Sequence, residues 1–341
     1  MKILILKPSS LGDVIHALPV LRLLKRHLPH AEIHWWIDSR FAALLEGDPD
    51  LAGVVRFERQ RWASVVHWPE MGRSVRWLRA QAFDWVIDLQ CLARSGAFAW
   101  LANGRLLVGL DEPREGARAL YDIVVQRASH YTHAVEWYLA VLPRLGVPVD
   151  WNFTWLPARP AVAADVKLKW STAGVRWVAL QPGARWLNKR WPAAHFAELT
   201  RSLTVEFPDV RFAILGGGND QSLGEAISRA APERCLNLAG QTSLPEMIEW
   251  LRLCDLLVSN DTGPAHVAAA LGTPVISLYG PTEPRRTGPY GQLQRVIQHS
   301  LPCAPCLKAR CVWPQPMECL TAITPATVAA QVRAELLQGR S

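Results

Sequence analysis

Short runs of aliphatic and β-branched residues alternate with longer segments of helical periodicity along almost the whole chain. In the first half, strand-like runs lie at 2–6, 32–37, 54–57 and 85–89, and helical spacing of apolar residues fills 14–28. Strands that alternate with helices predict a parallel sheet covered by helices on both faces. The alternation therefore places the chain in the α/β class.

The pattern breaks between residues 147 and 171, where prolines are frequent and no long helical run is evident, so this stretch predicts a linker. Strand-like runs then resume at 175–180, 210–215, 235–238, 255–259 and 274–279. A chain of 341 residues also exceeds one average core. We predict two doubly wound domains, over 1–155 and 170–324, and a C-terminal helix over 325–341 that packs back toward the N-terminal domain.

The chain is basic, with a formal net charge of +7 and an isoelectric point near 9.2. This charge fits an anionic substrate or an anionic membrane face, and it also fits a merely solvated surface. No segment interleaves basic and aromatic residues as nucleic-acid modules do, so we predict no nucleic-acid partner. No apolar run is long enough for a membrane span or for a signal peptide, so we predict a cytoplasmic protein.

Four loops that follow predicted strands are polar. They read KPSSLGD (7–13), QPGARWLNKRWP (181–192), GGGND (216–220) and NDTGPAH (260–266). Strands of a parallel sheet end at one edge, and ligands of doubly wound proteins bind at that edge. The sequence therefore predicts a ligand site in a cleft between the two domains, lined by these loops.

The loop NDTGPAH suits a phosphate group. A helix that begins near Gly263 offers unpaired backbone N–H groups and the positive end of its dipole, and Gly263 lets a ligand approach closely. Alternatively, Asp261 or Thr262 is an ordinary N-cap and His266 a packed helical residue. The dinucleotide fingerprint G-x-G-x-x-G is absent from this loop and from the loop after the first strand, which disfavours a dehydrogenase.

Two further charged residues allow both a structural and a chemical interpretation. Lys189 lies in a loop before a helix opened by Pro192, where it would neutralise a pyrophosphate leaving group or remain an ordinary surface charge. Asp13 lies at the start of the first helix. It would cap that helix, or act as a general base on an acceptor hydroxyl.

Three of these segments together resemble the bacterial heptosyltransferases of glycosyltransferase family 9. They are KPSSLGDVIHALPVL (7–21), GARWLNKRWP (183–192) and SNDTGPAHVAAALGTPVISLYGPTEP (259–284). The resemblance extends over nearly the full chain. It implies a GT-B fold, in which two Rossmann-like domains face each other across the active-site cleft. It also implies an ADP-L-glycero-D-manno-heptose donor and an acceptor in the Kdo/heptose inner core of lipopolysaccharide.

The resemblance also assigns roles to individual residues. Asp13 matches the catalytic base, which removes the acceptor proton in a single inverting displacement. Lys189 matches the lysine near the donor phosphates, where it would stabilise the departing ADP. The predicted donor-binding residues are Arg185, Lys189, Asp220, Thr242, Asp261, Thr262, Gly263 and His266.

The chain departs from the family pattern at two places. The glutamate that contacts the nucleoside in heptosyltransferase I members is matched by Ser222, with Asp220 as the nearest acid, and Ala184 and Arg185 replace threonines before the lysine. These changes leave the reaction type in place and leave the donor sugar open. The alternatives are another sugar donor, a protein acceptor such as an autotransporter, or an inactive nucleotide-sugar-binding protein. Asp13, Lys189 and Asp261 together disfavour inactivity.

Arginines in two N-terminal loops are candidates for the acceptor site. Family members use basic residues of these loops to hold acidic Kdo and phosphate groups, and guanidinium groups suit both. Ordinary surface arginine is the alternative. A lipid-linked acceptor also implies peripheral contact with the cytoplasmic face of the inner membrane. The predicted acceptor-binding residues are Arg59, Arg61, Arg114 and Arg118.

Four cysteines lie close together near the C-terminus and can form a thiolate cage for zinc or iron. Free thiols in a reducing compartment are the alternative. Apart from His299 no further ligand is evident, so a metal here would be structural, and we predict that catalysis requires no cofactor. The four are Cys303, Cys306, Cys311 and Cys319.

Overall fold

The computed structural model describes residues 1–172 and 174–338, with Pro113 described by its backbone alone. The chain divides into two compact units, Met1–Pro157 and Ala158–Ser341. Each unit contains one six-stranded sheet. The first boundary falls close to the predicted residue 155, whereas the second unit begins well before the predicted residue 170.

The sheet of the first unit has the strand order β3-β2-β1-β4-β5-β6, and all neighbours pair in parallel. In this order the chain reverses its direction of winding between β1 and β4, so the loop after β1 lies at the switch point, where doubly wound sheets bind ligands. The strands are β1 Lys2–Leu6, β2 Glu32–Asp38, β3 Gly53–Phe57, β4 Trp85–Asp88, β5 Leu106–Leu110 and β6 Ile123–Val125.

Helices cover this sheet, and an aromatic cluster packs beneath the helix that carries Phe98. Trp36 stacks on Phe57 with ring centroids 4.4 Å apart, and Trp62 and Phe98 close the cluster. Aromatic pairs of this kind contribute packing beyond their buried area. The helices are α1 Leu11–His27, α2 Trp68–Ala80, α3 Ala93–Leu101, α4 Ala134–Leu139 and α5 Val141–Arg144.

The second sheet repeats the same topology with the order β12-β11-β10-β7-β8-β9, again parallel throughout. Its switch point lies between β7 and β10. The loops that follow these two strands carry the lysine and the aspartate singled out from the sequence. The strands are β7 Arg176–Gln181, β8 Val210–Ile214, β9 Cys235–Asn237, β10 Leu256–Asn260, β11 Val275–Tyr279 and β12 Val296–Gln298.

The helices of the second unit correct one prediction. The predicted linker contains α6, which begins at Pro160 and packs its Trp170 ring 5.7 Å from Trp250. The C-terminal helix packs Val328, Val332 and Leu336 into the core of the second unit, and its predicted packing toward the first unit stays a prediction. The helices are α6 Pro160–Trp170, α7 Ala193–Glu206, α8 Gln221–Ser228, α9 Leu244–Leu253, α10 Gly263–Leu271, α11 Pro284–Thr287, α12 Glu318–Thr321 and α13 Pro325–Gln338.

Three strands were not predicted. β6 and β12 are three residues long and lie at sheet edges, so they carry too few residues for an alternation pattern. β5 is a five-residue, mostly buried strand that was not predicted. Among the described residues, no helix has both the length and the apolar character that crossing a membrane requires.

Candidate functional site

Asp13 lies in the first turn of α1, at the switch point of the first sheet. Its Oδ2 accepts hydrogen bonds from the backbone N–H of Ser10 at 2.9 Å and from the Ser10 hydroxyl at 2.7 Å. The helix-capping interpretation is therefore correct for one carboxylate oxygen. Among the described residues, no hydrogen bond reaches Oδ1, so the second oxygen remains available for a proton.

Two cations lie within electrostatic range of Asp13. Lys7, at the end of β1, is almost fully buried and donates from Nζ to the Leu89 carbonyl at 2.9 Å. Burial opposes its charge, but Tyr138 and Asp13 outweigh burial and hold the pKa of Lys7 above its ordinary value. Hydrogen bonds to Glu112 raise the pKa of Arg114, and Asp13 contributes to the same shift. Lys7 and Arg114 therefore place positive charge near the Asp13 carboxylate.

The four predicted acceptor arginines follow β3 and β5 of the same sheet. Arg61 pairs with Glu70 at 2.6 Å, Arg114 with Glu112 at 2.9 Å and Arg118 with Asp111 at 2.9 Å. Arg59 is exposed. All four are solvent-accessible and lie in loops at the same sheet edge as Asp13. Their role toward an acceptor stays a prediction.

In the second unit, a buried asparagine joins the loops after β7 and β10. Asn260 is fully buried, accepts from the backbone N–H of Trp191 at 2.9 Å and donates to the Pro182 carbonyl at 2.7 Å. Because both partners belong to the loop after β7, the side chain fixes that loop against the end of β10. It therefore sets the positions of Lys189 and Asp261 relative to each other.

Asp261 is the centre of a compact polar cluster. Its Oδ2 lies 2.6 Å from Nζ of Lys189 and accepts a hydrogen bond of 2.5 Å from the Thr282 hydroxyl. Its Oδ1 lies 3.9 Å from Nε2 of His266. Burial alone would raise the pKa of this carboxyl, but the charges of Lys189 and His266 and the two hydrogen bonds lower it below its ordinary value. Asp261 is therefore held as an anion.

A pocket of about 510 Å³ opens beside this cluster, within the second unit. Its volume lies in the range of roughly 300–1,000 Å³ that is usual for small-molecule sites. Two cations, Arg185 and Arg190, line it together with one acid, Asp220. An apolar wall is formed by Leu244 and Met247. The predicted donor residues that line the pocket are Arg185, Asp220, Thr242 and Thr262.

Residues at the starts of α9 and α10 line this pocket. The residue before α10 is Thr262, whose side chain makes no capping hydrogen bond, and Asp261 is engaged by Lys189 and Thr282 instead. Thr262 therefore occupies the cap position without a capping side-chain bond. Pro264 has no N–H group and the N–H of Ala265 donates to the Thr262 carbonyl at 3.0 Å, so within the described residues the Gly263 N–H is the first-turn donor left for a ligand. The start of α9 differs, because Ser243 caps it through Glu246.

Asp220 is packed against two glycine loops. A side chain at Gly183 would place its Cβ only 2.3 Å from the Asp220 carboxylate, and one at Gly216 would lie 2.8 Å from the Asp220 Cβ. Asp220 also accepts from the backbone N–H of Gly217 and lies 3.7 Å from the Arg190 guanidinium. Both glycines are therefore required by close packing at the pocket wall.

The four C-terminal cysteines do not form a metal centre in the structure. All are free thiols, and the pKa of Cys319 is raised to about 11 by burial and then by Cys311, Cys303 and Cys306. The thiols are therefore neighbours. Over residues 1–172 and 174–338, however, no group of three or more His, Cys, Asp or Glu side chains is arranged to hold a metal ion. The structure gives no support to the predicted zinc or iron.

Sequence reasoning missed several contributors to the site. Thr282 lies in the quoted segment 259–284 but was given no role, and Asn260 was read only as part of a loop. A buried polar residue at the end of a strand is the signal that marks Asn260, since such a group must find a partner. Arg190 was not among the predicted donor-binding residues, yet it lines the pocket.

Comparison with known proteins gives consistent matches. Residues 71–316 match glycosyltransferase family 9 (heptosyltransferase). Lipopolysaccharide heptosyltransferase 1 of Pseudomonas aeruginosa is 31% identical, with 99% of this chain and 98% of that protein covered. The structure of the Escherichia coli ADP-heptose LPS heptosyltransferase II has a TM-score of 0.80 and 26% identity, covering 100% of both chains.

A second similar structure is a complex with a ligand. The Escherichia coli heptosyltransferase WaaC with ADP-2-deoxy-2-fluoro heptose has a TM-score of 0.77 and 26% identity, and covers 98% of this chain and 99% of that one. Two six-stranded parallel sheets with their helices, together with these matches, confirm the predicted GT-B fold.

Proposed function

Because this chain belongs to glycosyltransferase family 9, the heptosyltransferases, we propose that it transfers a heptose from ADP-heptose to the inner core of lipopolysaccharide. The observation that carries the proposal is the pocket of the second unit, with two guanidinium groups and the uncapped start of α10. An anionic nucleotide-sugar fits this surface, because the arginines, the helix dipole and the Gly263 N–H group all favour phosphate.

The donor would lie with its pyrophosphate toward Arg185, Arg190 and the N–H group of Gly263 at the start of α10. Negative charge builds on the ADP oxygen as the glycosidic bond breaks, and fixed positive groups stabilise that charge without reorganisation. Lys189 would join them from its position beside Asp261, whose carboxylate is then free to accept hydrogen bonds from sugar hydroxyls. Leu244 and Met247 supply an apolar surface for the nucleobase.

Asp13 would act on the acceptor. Its Oδ1 removes the proton of the attacking hydroxyl, the hydroxyl oxygen bonds to the anomeric carbon, and the bond to ADP breaks in the same displacement. The anomeric configuration is inverted, since the attack comes from the side opposite the leaving group. No metal enters this sequence of events.

The acceptor is proposed to be Kdo-lipid A or its heptosylated form. Arg59, Arg61, Arg114 and Arg118 would hold its acidic sugars and phosphates, and the last three would exchange their present carboxylate partners for those of the ligand. A lipid-linked acceptor also places the enzyme at the cytoplasmic face of the inner membrane. The absence of a membrane-crossing helix among the described residues fits peripheral contact.

The test is a transfer assay with ADP-L-glycero-D-manno-heptose and two acceptors, Kdo-lipid A and its mono-heptosylated form. We expect heptose on one of the two, which also decides whether the first or the second heptose is added. ADP binding by calorimetry is measured alongside. Tight ADP binding with no transfer to either acceptor would contradict the proposal and direct the search to other sugars or to a protein acceptor.

A structural zinc or iron at Cys303, Cys306, Cys311 and Cys319 is a separate prediction, on which no catalytic step depends. One observation supports this prediction. After burial, the nearby thiols of Cys311, Cys303 and Cys306 raise the pKa of Cys319, so the four side chains lie close together. Metal analysis of the purified protein is the direct measurement. Stoichiometric metal that the Cys303→Ser/Cys306→Ser variant loses would support it, and a metal-free wild type would contradict it.

A further inference from the structure

An exposed apolar segment follows β3 in the first unit. Val65 and Val66 belong to a 3-10 helix, Val65–His67, and are 66% and 74% exposed, while Trp68 at the start of α2 is 54% exposed. We call these three residues the apolar tip. Large apolar side chains grouped in this way are uncommon on a protein surface and mark an interaction site.

The tip is supported by the aromatic cluster of the first unit. Trp62 is buried against Phe57 and Phe98, with ring centroids 5.5 and 6.0 Å away, and it precedes the tip by only three residues. Arg61 and Glu70 form an ion pair of 2.6 Å that joins the two ends of the segment. The loop is therefore held on both sides while its apolar residues face outward.

The helix that follows the tip is amphipathic and basic. Leu78 is buried, Met71 and Val75 pack against the same core, and the outward residues Arg73, Arg76 and Arg79 are exposed. We call these three arginines the basic face. Within the described part of the chain, none of the three makes an ion pair or a side-chain hydrogen bond. From residue 59 to residue 79 the chain carries five arginines and a single acidic residue.

We propose that the apolar tip and the basic face form the surface by which this enzyme docks on an anionic lipid bilayer. Valine and tryptophan side chains insert at the boundary between headgroups and acyl chains, and unpaired arginines are attracted to anionic headgroups. The unpaired arginines of the basic face favour a bilayer over a protein partner. A bilayer offers anionic headgroups at any position, whereas a protein would need acidic side chains placed opposite these arginines. This inference rests on the proposed function, since it concerns the membrane that contains the acceptor.

The position of this surface suits that role. The loop after β3 and the loop after β1 end at the same edge of a parallel sheet, with only β2 between them. Strands lie about 4.8 Å apart, so the two loops leave the sheet about 10 Å from each other. A bilayer that contacts the tip would therefore present the sugars of a lipid-linked acceptor on the side of the unit that carries Asp13.

The experiment measures binding of the full-length protein to vesicles by co-sedimentation. Vesicles of phosphatidylcholine alone are compared with vesicles that contain phosphatidylglycerol, at low and at high salt. We expect binding to the anionic vesicles that salt weakens, because headgroup attraction is screened. Replacing the basic face by Arg73→Gln/Arg76→Gln/Arg79→Gln should weaken it by at least about tenfold. Replacing the tip by Val65→Ser/Val66→Ser/Trp68→Ser should weaken it about tenfold or more.

Matched control variants lie elsewhere on the chain. Leu168→Ser/Val205→Ser removes apolar side chains that are 85% and 82% exposed, and Arg144→Gln/Arg201→Gln/Arg211→Gln removes the same net charge from other exposed positions. Both controls should bind the anionic vesicles as the wild type does. Circular dichroism and the thermal midpoint confirm that the tip and basic-face variants are folded.

Transfer assays separate this proposal from the proposed function. We expect the tip variant to transfer heptose to a deacylated, water-soluble acceptor at the wild-type rate and to lose transfer to the same acceptor embedded in vesicles. If the wild type uses neither acceptor, the proposed function fails, while vesicle binding still tests the surface. Equal vesicle binding by wild type, tip variant and basic-face variant would overturn the docking surface. Self-association through the tip, without vesicle binding, would overturn it in favour of a second copy of the chain.

Discussion

The ammonium nitrogen of Lys189 lies 2.6 Å from the carboxylate Oδ2 of Asp261, and this ion pair joins the loops on the two sides of the switch point of the second sheet. Both side chains are largely buried, with exposures of 18% for Lys189 and 7% for Asp261. The pair thus lies where a nucleotide-sugar would bind in a doubly wound domain. It ties a cation suited to phosphate to an anion suited to sugar hydroxyls.

The Lys189→Met variant should lose stability as well as activity. Removing one member of a buried pair leaves an uncompensated charge, so we expect the free energy of unfolding to fall by about 3 kcal/mol. The double variant Lys189→Met/Asp261→Asn should recover much of that loss, because no buried charge is left alone. Urea unfolding of Lys189→Met, Asp261→Asn and the double variant measures these differences. A loss in the double variant equal to the sum of the losses in the two single variants would show that the pair does not act as a unit.

The stabilising effect of Asp261 should depend on pH in one direction. Its pKa in the folded protein lies below the ordinary value of 3.8, so the folded state binds fewer protons than the unfolded state. The contribution is therefore complete above that ordinary value and is lost as the pH falls through the lower folded value. Unfolding of wild type and Asp261→Asn at a series of pH values should give curves that converge only in acid. A difference that grows on acidification would contradict the assignment.

Asn260 should be intolerant of an apolar replacement. In Asn260→Leu, the backbone N–H of Trp191 and the carbonyl of Pro182 lose their partners inside the protein, at about 1–3 kcal/mol for each group. Ser277→Ala is a suitable control, because it changes another fully buried polar residue of the same sheet. Its hydroxyl has no hydrogen-bond partner among the described residues. The midpoint temperature of thermal unfolding should be far lower for Asn260→Leu than for Ser277→Ala.

A glycine in the wall of the pocket provides a direct test of its shape. Gly183→Ala would bring a Cβ to 2.3 Å from the Asp220 carboxylate, whereas the control Gly72→Ala, in α2 of the first unit, meets nothing within 4 Å. We expect the first variant to displace Asp220 and the adjoining pocket wall and to weaken ADP binding about tenfold or more, and the second to bind as the wild type does. Calorimetric titration with ADP measures both. Equal affinities would mean that ADP does not occupy this pocket.

The sequence predicted the parts of the fold that periodicity encodes. Buried central strands such as β1 and β10 are continuous apolar runs, and polar loops after them marked the ligand edge. The three-residue strands β6 and β12 carry no period, because pairing with a neighbouring strand creates them. The proline at 160 predicted a break, but proline also suits the first turn of a helix, and there it opens α6.

The candidate site was predicted in its residue types and less well in its contacts. Charged residues at strand ends are visible in the sequence, and Arg185, Asp220, Thr242 and Thr262 do line one pocket. That Lys189 bonds to Asp261, and Asp261 to Thr282, depends on packing across 72 and 21 residues of sequence. The four cysteines lie near one another, as the raised pKa of Cys319 indicates, but within residues 1–172 and 174–338 their side chains are not arranged as a metal cage, so the metal stays a prediction.

Asp13 combines a structural and a proposed chemical role, and one substitution separates them. In Asp13→Asn the amide oxygen can still accept from the Ser10 N–H, so the start of α1 and the thermal midpoint should change little. The amide cannot accept the acceptor proton. ADP affinity should also be unchanged, since the donor pocket belongs to the second unit.

The most direct measurement is therefore the rate of heptose transfer from ADP-heptose to the inner-core acceptor, for wild type and Asp13→Asn at equal ADP occupancy. The proposed mechanism predicts transfer by the wild type and a loss of about 10²–10⁴-fold in the variant, the usual contribution of a positioned general base. Transfer by Asp13→Asn within a few-fold of the wild-type rate would contradict it and leave Asp13 as a helix cap.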